Sequence, residues 1–411
     1  MLITKELAVA KGKKTVQNNK AALPYEGLKI LDISQGIAGP YCAHLLWQQG
    51  AEVVKVEPPS GDWGRFVGVI KGPQSALSVQ FNAGKRSLAL DTSDPSGREV
   101  LAKLAMQADI IVQNFRPGVA KRMGLDYETW SAKKPDLVYV SISGYGQDGP
   151  YAFAPASDSV MQADTALMFT NQDEQGVPRR IGALVADVAT GLYAAQALSA
   201  ALYQRLARGQ GTHVEVSLFE ACAAFQGMQI LEYAMAGKTP GGAVSAPNCV
   251  FETTDGKMTV LALNNDQFAR LCKALGQEHW LSDPRYADNA SRMQHKALIN
   301  GEVNKVMKLH TTVEWMARLK QHEVLHAPVR DYEGLIDHPQ SAHLGMFQSL
   351  FQPGVGELPY AGAPAGPHRR PVLPAPVIGE HSSAILLEAG LSRDDVAALI
   401  SSGVVKQGDQ A

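Results

Sequence analysis

From Leu28 onward, short runs of β-branched and other apolar residues alternate with stretches in which apolar residues recur at helical spacing. The predicted strands are LKILDIS, AEVVKVE, SLALD, DIIVQN and DLVYVSIS, and the helices between them include AHLLWQQG, GREVLAKLAMQA and YETWSAKK. Strands that alternate with helices favour βαβ units and a parallel sheet. The pattern therefore predicts an α/β fold with a large Rossmann-like parallel-sheet domain.

The carboxyl ends of these strands are rich in glycine, proline and polar residues, and parallel sheets bind ligands beyond such ends. Two of the loops there are basic. FNAGKRSLALD contains Lys85 and Arg86, and QNFRPGVAKRMG contains Arg116, Lys121 and Arg122. Charged side chains usually form a solvated surface, but at this rim they also suit a ligand that carries phosphate. The residues alone leave both interpretations open.

The second half of the chain has a different pattern. A long helix of small residues, ALVADVATGLYAAQALSAALYQRLARGQG, precedes a strand and a second helix. The hairpin VFETTDGKMTVLAL, with its turn at Asp255–Gly256, and a strand in EVLHAPVRD indicate a smaller α+β domain. Two short helices are predicted after Gly379. The expected division is an N-terminal arm over 1–24, a large domain over 25–238, a small domain over 239–337, and a linker with a C-terminal segment over 338–411.

Composition narrows the class of protein. The chain has 411 residues, 45% of them apolar and 19% charged, which is ordinary for a globular protein with a sizeable core. A net charge of −2 does not indicate the excess of basic residues that is typical of nucleic-acid-binding proteins. The four cysteines lack disulfide or metal-ligand spacing, no apolar run reaches membrane-span length, and the polar N-terminal arm lacks a signal peptide. We therefore expect a cytoplasmic protein with no metal site and no membrane partner.

Two short motifs occur in the wrong context. Gly144–Gly149 fits the dinucleotide pattern G-x-G-x-x-G, but Pro150 follows instead of a helix whose N-terminus would meet a pyrophosphate. His322–His326 fits H-E-x-x-H, but Ala327-Pro328 follows, and the residue before a proline is pushed out of helical geometry. The sequence therefore argues against a nicotinamide or flavin site at the first motif and against a zinc site at the second.

Asp187 is the most informative single residue. It stands between the apolar run ALVA and a helix of small apolar residues. On residue type alone it is expected to cap the helix N-terminus, a position that Asp fills well. A carboxylate there can also act as a nucleophile, and a helix start favours its negative charge.

Taken in order, these segments resemble the family III CoA-transferases. LDISQGIAGPYCAHLLWQQGAEVVKVEPPSGD is similar to the first βαβ unit of the family, and FNAGKRSLALD, ADIIVQNFRPGVAKRMGLDYE and VYVSISGYGQDGP are similar to its next blocks. ALVADVATG resembles the segment with the catalytic aspartate, and PVIGEHSSAILLEAGLSRDDVAAL resembles the C-terminal signature. The similarity extends from about Leu28 to Val405, and the order of the blocks makes it specific.

The resemblance implies a fold and a site. It implies an interlocked homodimer, in which two subunits thread through one another and the C-terminal segment returns to the large domain. It implies that Asp187 is the nucleophile and that Arg122 pairs with a phosphate of coenzyme A. The other coenzyme A contacts that it implies are Ile37, Ala38, Leu90, Asn114, Phe115, Arg116, Met123 and Ser157.

Departures from the family pattern bear on the reaction. The racemase branch pairs the aspartate with a histidine, and Ser157 occupies the matching position here. Without that histidine, two-base racemisation lacks one base. The oxalate-type members carry a lysine and a tyrosine where Pro155 and Ser157 stand, and a tetraglycine loop where this chain has only Gly241-Gly242. Transfer is therefore favoured over epimerisation, and oxalate is not supported as acceptor.

The implied reaction moves coenzyme A from an acyl-CoA, with succinyl-CoA as the candidate donor, to a small carboxylic or dicarboxylic acid. It proceeds through an aspartyl anhydride and an enzyme–CoA thioester, with coenzyme A as substrate and no cofactor bound permanently. Arg179 or Arg180 is a candidate partner for a distal carboxylate, although a solvent-exposed loop explains both equally well. The alternative function is an acyl-CoA racemase or epimerase.

Overall fold

The computed structural model describes residues 23–173, 175–237, 243–364 and 369–409, so the N-terminal arm and Gly241-Gly242 lie almost wholly outside the described residues. The strands are β1 (Lys29–Asp32), β2 (Glu52–Glu57), β3 (Ile70–Lys71), β4 (Gln74–Ser75), β5 (Arg86–Leu90), β6 (Ile110–Gln113), β7 (Val138–Ser143), β8 (Thr212–Ser217), β9 (Asn248–Glu252), β10 (Lys257–Leu261), β11 (Leu325–Pro328), β12 (Phe347–Gln352), β13 (Gly356–Ala361) and β14 (Val405–Lys406).

The helices follow the strands in alternation over the first half of the chain. They are α1 (Ala38–Gln48), α2 (Ala76–Asn82), α3 (Pro95–Gln107), α4 (Val119–Arg122), α5 (Tyr127–Lys133), α6 (Asp158–Asp164), α7 (Leu167–Thr170), α8 (Val185–Arg208), α9 (Leu218–Phe225), α10 (Gly227–Met235), α11 (Asn265–Leu275), α12 (Asn289–Gln294), α13 (Lys296–Met307), α14 (Thr312–Gln321), α15 (Tyr332–Ile336), α16 (Pro339–Leu344), α17 (Ser382–Glu388) and α18 (Arg393–Ser401). Short 3₁₀ turns cover Trp63–Phe66, Glu278–Ser282 and Pro284–Tyr286.

A seven-stranded sheet in the order β14-β5-β2-β1-β6-β7-β8 forms the centre of the fold. Every neighbouring pair is parallel except β14 and β5, which confirms the predicted α/β class and parallel sheet. The chain runs from β1 toward β5 on one side and from β6 toward β8 on the other. The strand order therefore reverses between β1 and β6, where parallel sheets open a crevice for ligands.

Side chains of successive strand residues point to opposite faces of this sheet, and both faces are covered. Ile30 packs in a core with α1 and α8, whereas its neighbour Leu31 packs in a second core with α3, α17 and α18. Burial on both sides explains why these strands appear as continuous apolar runs in the sequence. β14 was not predicted, because two residues carry no periodicity; the C-terminal end closes the sheet edge antiparallel to β5.

Helix α8 is the one helix among the described residues that is long and apolar enough to cross a membrane, and it packs instead against α1 and β8. Its small residues allow a close approach to α1. A Cβ added to Gly191 would lie 2.8 Å from Cδ1 of Tyr41 and 3.0 Å from the carbonyl oxygen of Ala38. The second turn of α8 is thereby held against the first turn of α1.

Residues 248–328 contain a separate antiparallel sheet in the order β11-β10-β9, which packs on α11, α13 and α14 around a core of their own. The predicted hairpin is present, and Glu252 pairs with Lys257 across the turn at Asp255–Gly256. His322 ends α14, and His326 lies on β11. The two histidines of the H-E-x-x-H match therefore do not share a helix face, as the sequence indicated.

Candidate active site

A cavity of about 450 Å³ opens at the carboxyl ends of β1, β6 and β7, at the reversal of strand order. Seven of the site residues expected from the sequence line it together: Ile37, Ala38, Asn114, Phe115, Arg116, Ser157 and Asp187. Four parts of the chain bring them there. Ile37 and Ala38 lie at the start of α1, and Asn114, Phe115 and Arg116 lie in the loop after β6. Ser157 caps α6, and Asp187 lies in α8.

A smaller cavity of about 180 Å³ adjoins the first, since Gln35 and Phe115 line both. Leu90 and Met123, also expected as coenzyme A contacts, line this second cavity. Arg122, at the end of α4, is exposed and lines neither cavity, so its expected phosphate contact has no counterpart in the lining. Gln35 and Phe115 therefore lie where the two cavities meet.

Asp187 is the third residue of α8, and the residue that caps this helix is Leu184. The expectation that Asp187 is itself the N-cap is therefore wrong. Within the described residues its carboxylate accepts no hydrogen bond and forms no ion pair. Burial, together with the negative charge of Asp158, raises the pKa of Asp187 from 3.8 to about 7. A half-buried carboxylate without a partner, facing a cavity, is a candidate nucleophile.

Asp158 performs the capping that the sequence assigned to Asp187. Its Oδ2 accepts the backbone N–H groups of Ala186 at 2.8 Å and Asp187 at 3.3 Å, and its Oδ1 accepts Nε2 of Gln162 at 2.6 Å. Sequence reasoning missed this residue because it weighed only Ser157 in that segment. The Ser157-Asp158 pair does carry a helix-start signal, but the N–H groups that Asp158 binds belong to another helix.

Asn114, expected as a coenzyme A contact, also holds the loop after β1. Its Oδ1 accepts the backbone N–H of Gln35 at 2.8 Å, and its Nδ2 donates to the carbonyl oxygen of Gln35 at 2.7 Å. Both ends of the amide therefore hold the backbone of one residue in the loop after β1. Asn114 still lines the cavity, but its hydrogen-bonding groups are engaged with the protein.

Ser157 is exposed at the mouth of the cavity and caps α6 through its hydroxyl, which accepts the backbone N–H of Val160. No histidine is among the residues that line the cavity. Gly144 also lines it, but β7 ends at Ser143 and the next helix begins only at Asp158, so no helix starts at Gly149. The G-x-G-x-x-G match thus lacks the helix that a dinucleotide site requires. Among the described residues, no cluster of His, Cys, Asp or Glu suits a metal ion.

The basic residues of the two predicted rim loops divide into distinct groups. Lys85 is fully buried and paired with Asp32, so it is not the free phosphate partner that its position suggested. Arg86 pairs with Glu388 of α17, again within the protein. Arg116 is exposed and lines the main cavity. Only Arg116 therefore offers this cavity a cation from those loops.

The adjacent arginines Arg179 and Arg180 also differ. Arg179 forms an ion pair with Asp173, with 2.7 Å between Nη2 and Oδ2. Arg180 is exposed, and its Nη1 donates to Oγ of Ser159 at 2.9 Å, next to Asp158. Ile181 is held on both sides by the amide of Gln162, which fixes the backbone that follows Arg180. Of the two candidates for a distal carboxylate, Arg180 is the one not already paired with Asp173.

Comparisons with known proteins converge on one family. A family model described as CoA-transferase family III matches residues 25–382. The human succinyl-CoA:glutarate CoA-transferase is 33% identical over 93% of this chain and 90% of its own length. The acetyl-CoA:oxalate CoA-transferase of Acetobacter aceti is 31% identical over 89% of this chain and 95% of its own length.

A solved structure agrees with these relatives. The crystal structure of a CAIB/BAIF family protein from Brucella suis superposes with a TM-score of 0.81 at 30% identity, covering 90% of this chain and 100% of that one. The relatives are named for different acceptor acids, glutarate and oxalate, although their identities to this chain are nearly equal. Overall similarity therefore identifies the type of chemistry and not the acid.

Proposed function

We propose that this chain, which belongs to CoA-transferase family III, transfers coenzyme A from succinyl-CoA to a small dicarboxylic acid with Asp187 as nucleophile. The observation that carries the proposal is the carboxylate of Asp187, without a partner among the described residues, facing a cavity lined by Ile37, Ala38 and Phe115. Coenzyme A is a substrate in this proposal, and no permanently bound cofactor takes part.

The exchange proceeds in four covalent steps. The Asp187 carboxylate attacks the donor thioester, forming an aspartyl-acyl anhydride and releasing the CoA thiolate. The thiolate attacks the aspartyl carbonyl, which gives an enzyme–CoA thioester and the free donor acid. The acceptor carboxylate then attacks that thioester, and the released thiolate attacks the acceptor carbonyl of the new anhydride. One thioester replaces another of similar energy, and covalent catalysis divides the exchange into easier steps.

Developing negative charge on the attacked carbonyl oxygen needs donors nearby. The backbone N–H groups of Ile37 and Ala38 have no acceptor among the described residues, and both residues line the cavity that contains Asp187. They open α1, whose N-terminus carries partial positive charge. We assign them to the stabilisation of the oxyanion, in addition to the amides of the Gly144–Gly149 loop.

A racemase would need a second base opposite the aspartate. Ser157 occupies that place, its hydroxyl caps α6, and no histidine lines the cavity. These observations favour transfer over proton exchange at the α-carbon. A deuterium-exchange assay with an α-branched acyl-CoA tests the alternative directly, and incorporation of deuterium during turnover would support it.

We further propose the interlocked homodimer, divided into the large and small domains given above, and a cytoplasmic location. An apolar surface on α8 and α10 supports the association of two subunits. Helix α10 buries none of its side chains, and Met228, Leu231 and Met235 are 62%, 64% and 87% exposed. An apolar cavity of about 610 Å³ is lined mainly by residues of α8. Apolar surfaces of this extent mark protein interfaces. Light scattering after gel filtration tests the dimer, and a monomer at micromolar concentration would refute it.

The function itself is tested by replacing the nucleophile. Asp187→Ala should lower the rate of coenzyme A exchange between succinyl-CoA and glutarate by at least about a thousandfold, because the covalent route is removed. Asp187→Asn keeps the shape and should be equally inactive. Asp173→Ala, on the exposed turn that binds Arg179, is a control that should keep activity. Substantial turnover by Asp187→Ala refutes the assignment.

A further inference from the structure

Two fully buried ion pairs lie directly beneath the segment that opens α1. One joins Lys55 of β2 to Asp62, and the other joins Lys85 to Asp32 of β1, each with 2.8 Å between nitrogen and oxygen. All four side chains are at most 2% exposed. Buried pairs of this kind are weak contributors to stability, because the cost of desolvation offsets most of the attraction. Their retention beside the cavity therefore needs another reason.

The first pair holds one peptide turn of the segment from both sides. The ammonium of Lys55 donates to the carbonyl oxygen of Ser34, and the carboxylate of Asp62 accepts the N–H of Gly36 at 2.9 Å and 3.0 Å. Asp62 also accepts the N–H of Gly64 at 2.9 Å. A single ion pair thus joins two glycine turns that are far apart in sequence.

The second pair holds the two ends of the same segment. Nζ of Lys85 donates to the carbonyl oxygen of Pro40 at 2.8 Å, and Oδ1 of Asp32 accepts the N–H of Ser34 at 3.1 Å. Asn82 accepts a third bond from the Lys85 ammonium at 3.0 Å. The backbone from Ser34 to Pro40 is therefore bound at four points by groups that water does not reach.

The joined turns form one wall of the cavity. Gly36 has a φ of +78°, and a Cβ there would lie 2.0 Å from the indole ring of Trp63, so only glycine allows this contact. Gln35, Ile37, Ala38 and Trp63 all line the cavity. Displacing either turn would move the wall and the first N–H groups of α1 relative to Asp187.

We infer that Lys55, Asp62, Lys85 and Asp32 are positioning residues of the acyl-CoA site, which fix the segment from Ser34 to Pro40 and the Trp63 turn opposite Asp187. The inference rests on the proposed function for its effect on turnover, but its effect on coenzyme A binding is independent of it. None of these four residues lines the cavity, so they act through the backbone that they hold.

The test separates positioning from stability by replacing a whole pair. Lys55→Met/Asp62→Leu removes both charges at once, and such apolar replacement is often neutral for stability. The folded double variant should nevertheless lose about 10- to 100-fold in kcat/KM for succinyl-CoA, mainly through a higher KM, because the wall is no longer fixed. The melting temperature, measured in the same buffer, monitors the fold.

Two single variants sharpen the result. Asp62→Asn keeps an acceptor for the N–H of Gly36 and should lose only a few-fold of kcat/KM, as a conservative rescue. Asp109→Asn is the matched control. Asp109 also accepts a backbone N–H, from Lys29 at 2.9 Å, and pairs with Arg205, but at the amino end of the same sheet. It should change kcat/KM by less than about twofold.

A folded double variant with wild-type kcat/KM overturns the inference. If the double variant does not fold, the comparison of Asp62→Asn with Asp109→Asn decides the question. Equal kcat/KM for these two variants overturns the inference. If the wild type exchanges no acyl-CoA at all, the proposed function fails, and calorimetric titration with coenzyme A tests the positioning. A dissociation constant that is a few-fold larger for Asp62→Asn than for Asp109→Asn supports the inference, and equal constants overturn it.

Discussion

The two walls of the main cavity differ in whether their charged side chains are paired with an opposite charge. In the wall from Ser34 to Pro40, the charged groups that hold the backbone are paired with an opposite charge and sealed from water. In the wall from Asp158 to Asp187, two carboxylates lie close together, and no ion pair to either is formed among the described residues. The ion pairs hold the geometry of the first wall, whereas the second contains a carboxylate whose charged form is disfavoured. We call the first the fixed wall and the second, which contains the proposed nucleophile, the reactive wall.

Apart from replacement of Asp187, the substitution in the reactive wall with the largest expected loss of activity is Asp158→Ala. It removes the acceptor of two N–H groups at the first turn of α8, so we expect kcat to fall about a hundredfold through misplacement of the nucleophile. The loss of this capping contact should also lower the free energy of unfolding by about 1 to 2 kcal/mol. Single-turnover kinetics and denaturant titration measure the two effects. Asp158→Asn, which keeps an acceptor, is the control, and equal kcat for Asp158→Ala and the wild type would contradict the contrast between the walls.

A smaller effect is expected where the reactive wall meets the acceptor acid. Arg180→Gln should raise KM about tenfold for glutarate and leave KM for butyrate unchanged, because only a dicarboxylic acid has a distal carboxylate to bind. Arg179→Gln is the matched control, since its guanidinium is already paired with Asp173. Equal KM changes for both acids, or a larger effect at Arg179, would remove Arg180 from the site.

The smallest effect concerns pH. Because burial and Asp158 raise the pKa of Asp187 to about 7, the acylation rate should rise with pH and reach half its maximum near pH 7. Asp158→Asn removes a negative neighbour and should move this midpoint to lower pH. Pre-steady-state acylation across pH 5 to 9 measures both midpoints (from about two units below to two above the pKa). A midpoint that is insensitive to Asp158→Asn would show that the two carboxylates do not interact.

The same shift predicts a linked change in stability. A carboxyl whose folded-state pKa lies above its unfolded value stabilises the fold at low pH, and this contribution is lost as pH rises between 3.8 and about 7. Asp187→Asn has no such loss, so its advantage in free energy of unfolding over the wild type should grow through that interval.

The sequence predicted the parallel sheet and the residues on its carboxyl rim because strand runs and strand ends are local patterns. Asp187 was singled out as the candidate nucleophile through the ordered segments around it, although its local role as a helix cap was misassigned. The sequence did not reveal which side chains bind which distant backbone groups. Asp158 binds a helix that starts 27 residues later, and Lys85 binds a helix start 45 residues earlier. Such partners are fixed by tertiary packing, for which a single sequence carries no periodic signal.

Lys85 illustrates the limit most clearly. A lysine in a loop beside a binding rim is ordinarily solvated, and nothing in FNAGKRSLALD indicates that this one is buried. Its ammonium is bound by Asp32, Pro40 and Asn82, and the preceding Gly84 packs against Trp47, where a Cβ would lie 1.8 Å from the indole ring. Asn114 shows the converse, since it was correctly expected at the rim but its amide holds the Gln35 peptide.

The most direct measurement of the central claim is the chemical identity of the covalent intermediate. The enzyme is incubated with succinyl-CoA without acceptor, treated with borohydride or hydroxylamine, digested and mapped by mass spectrometry. The account predicts a reduced side chain or hydroxamate on the peptide that contains Asp187, absent in Asp187→Asn. Modification of another residue, or turnover with no modified peptide, would contradict it.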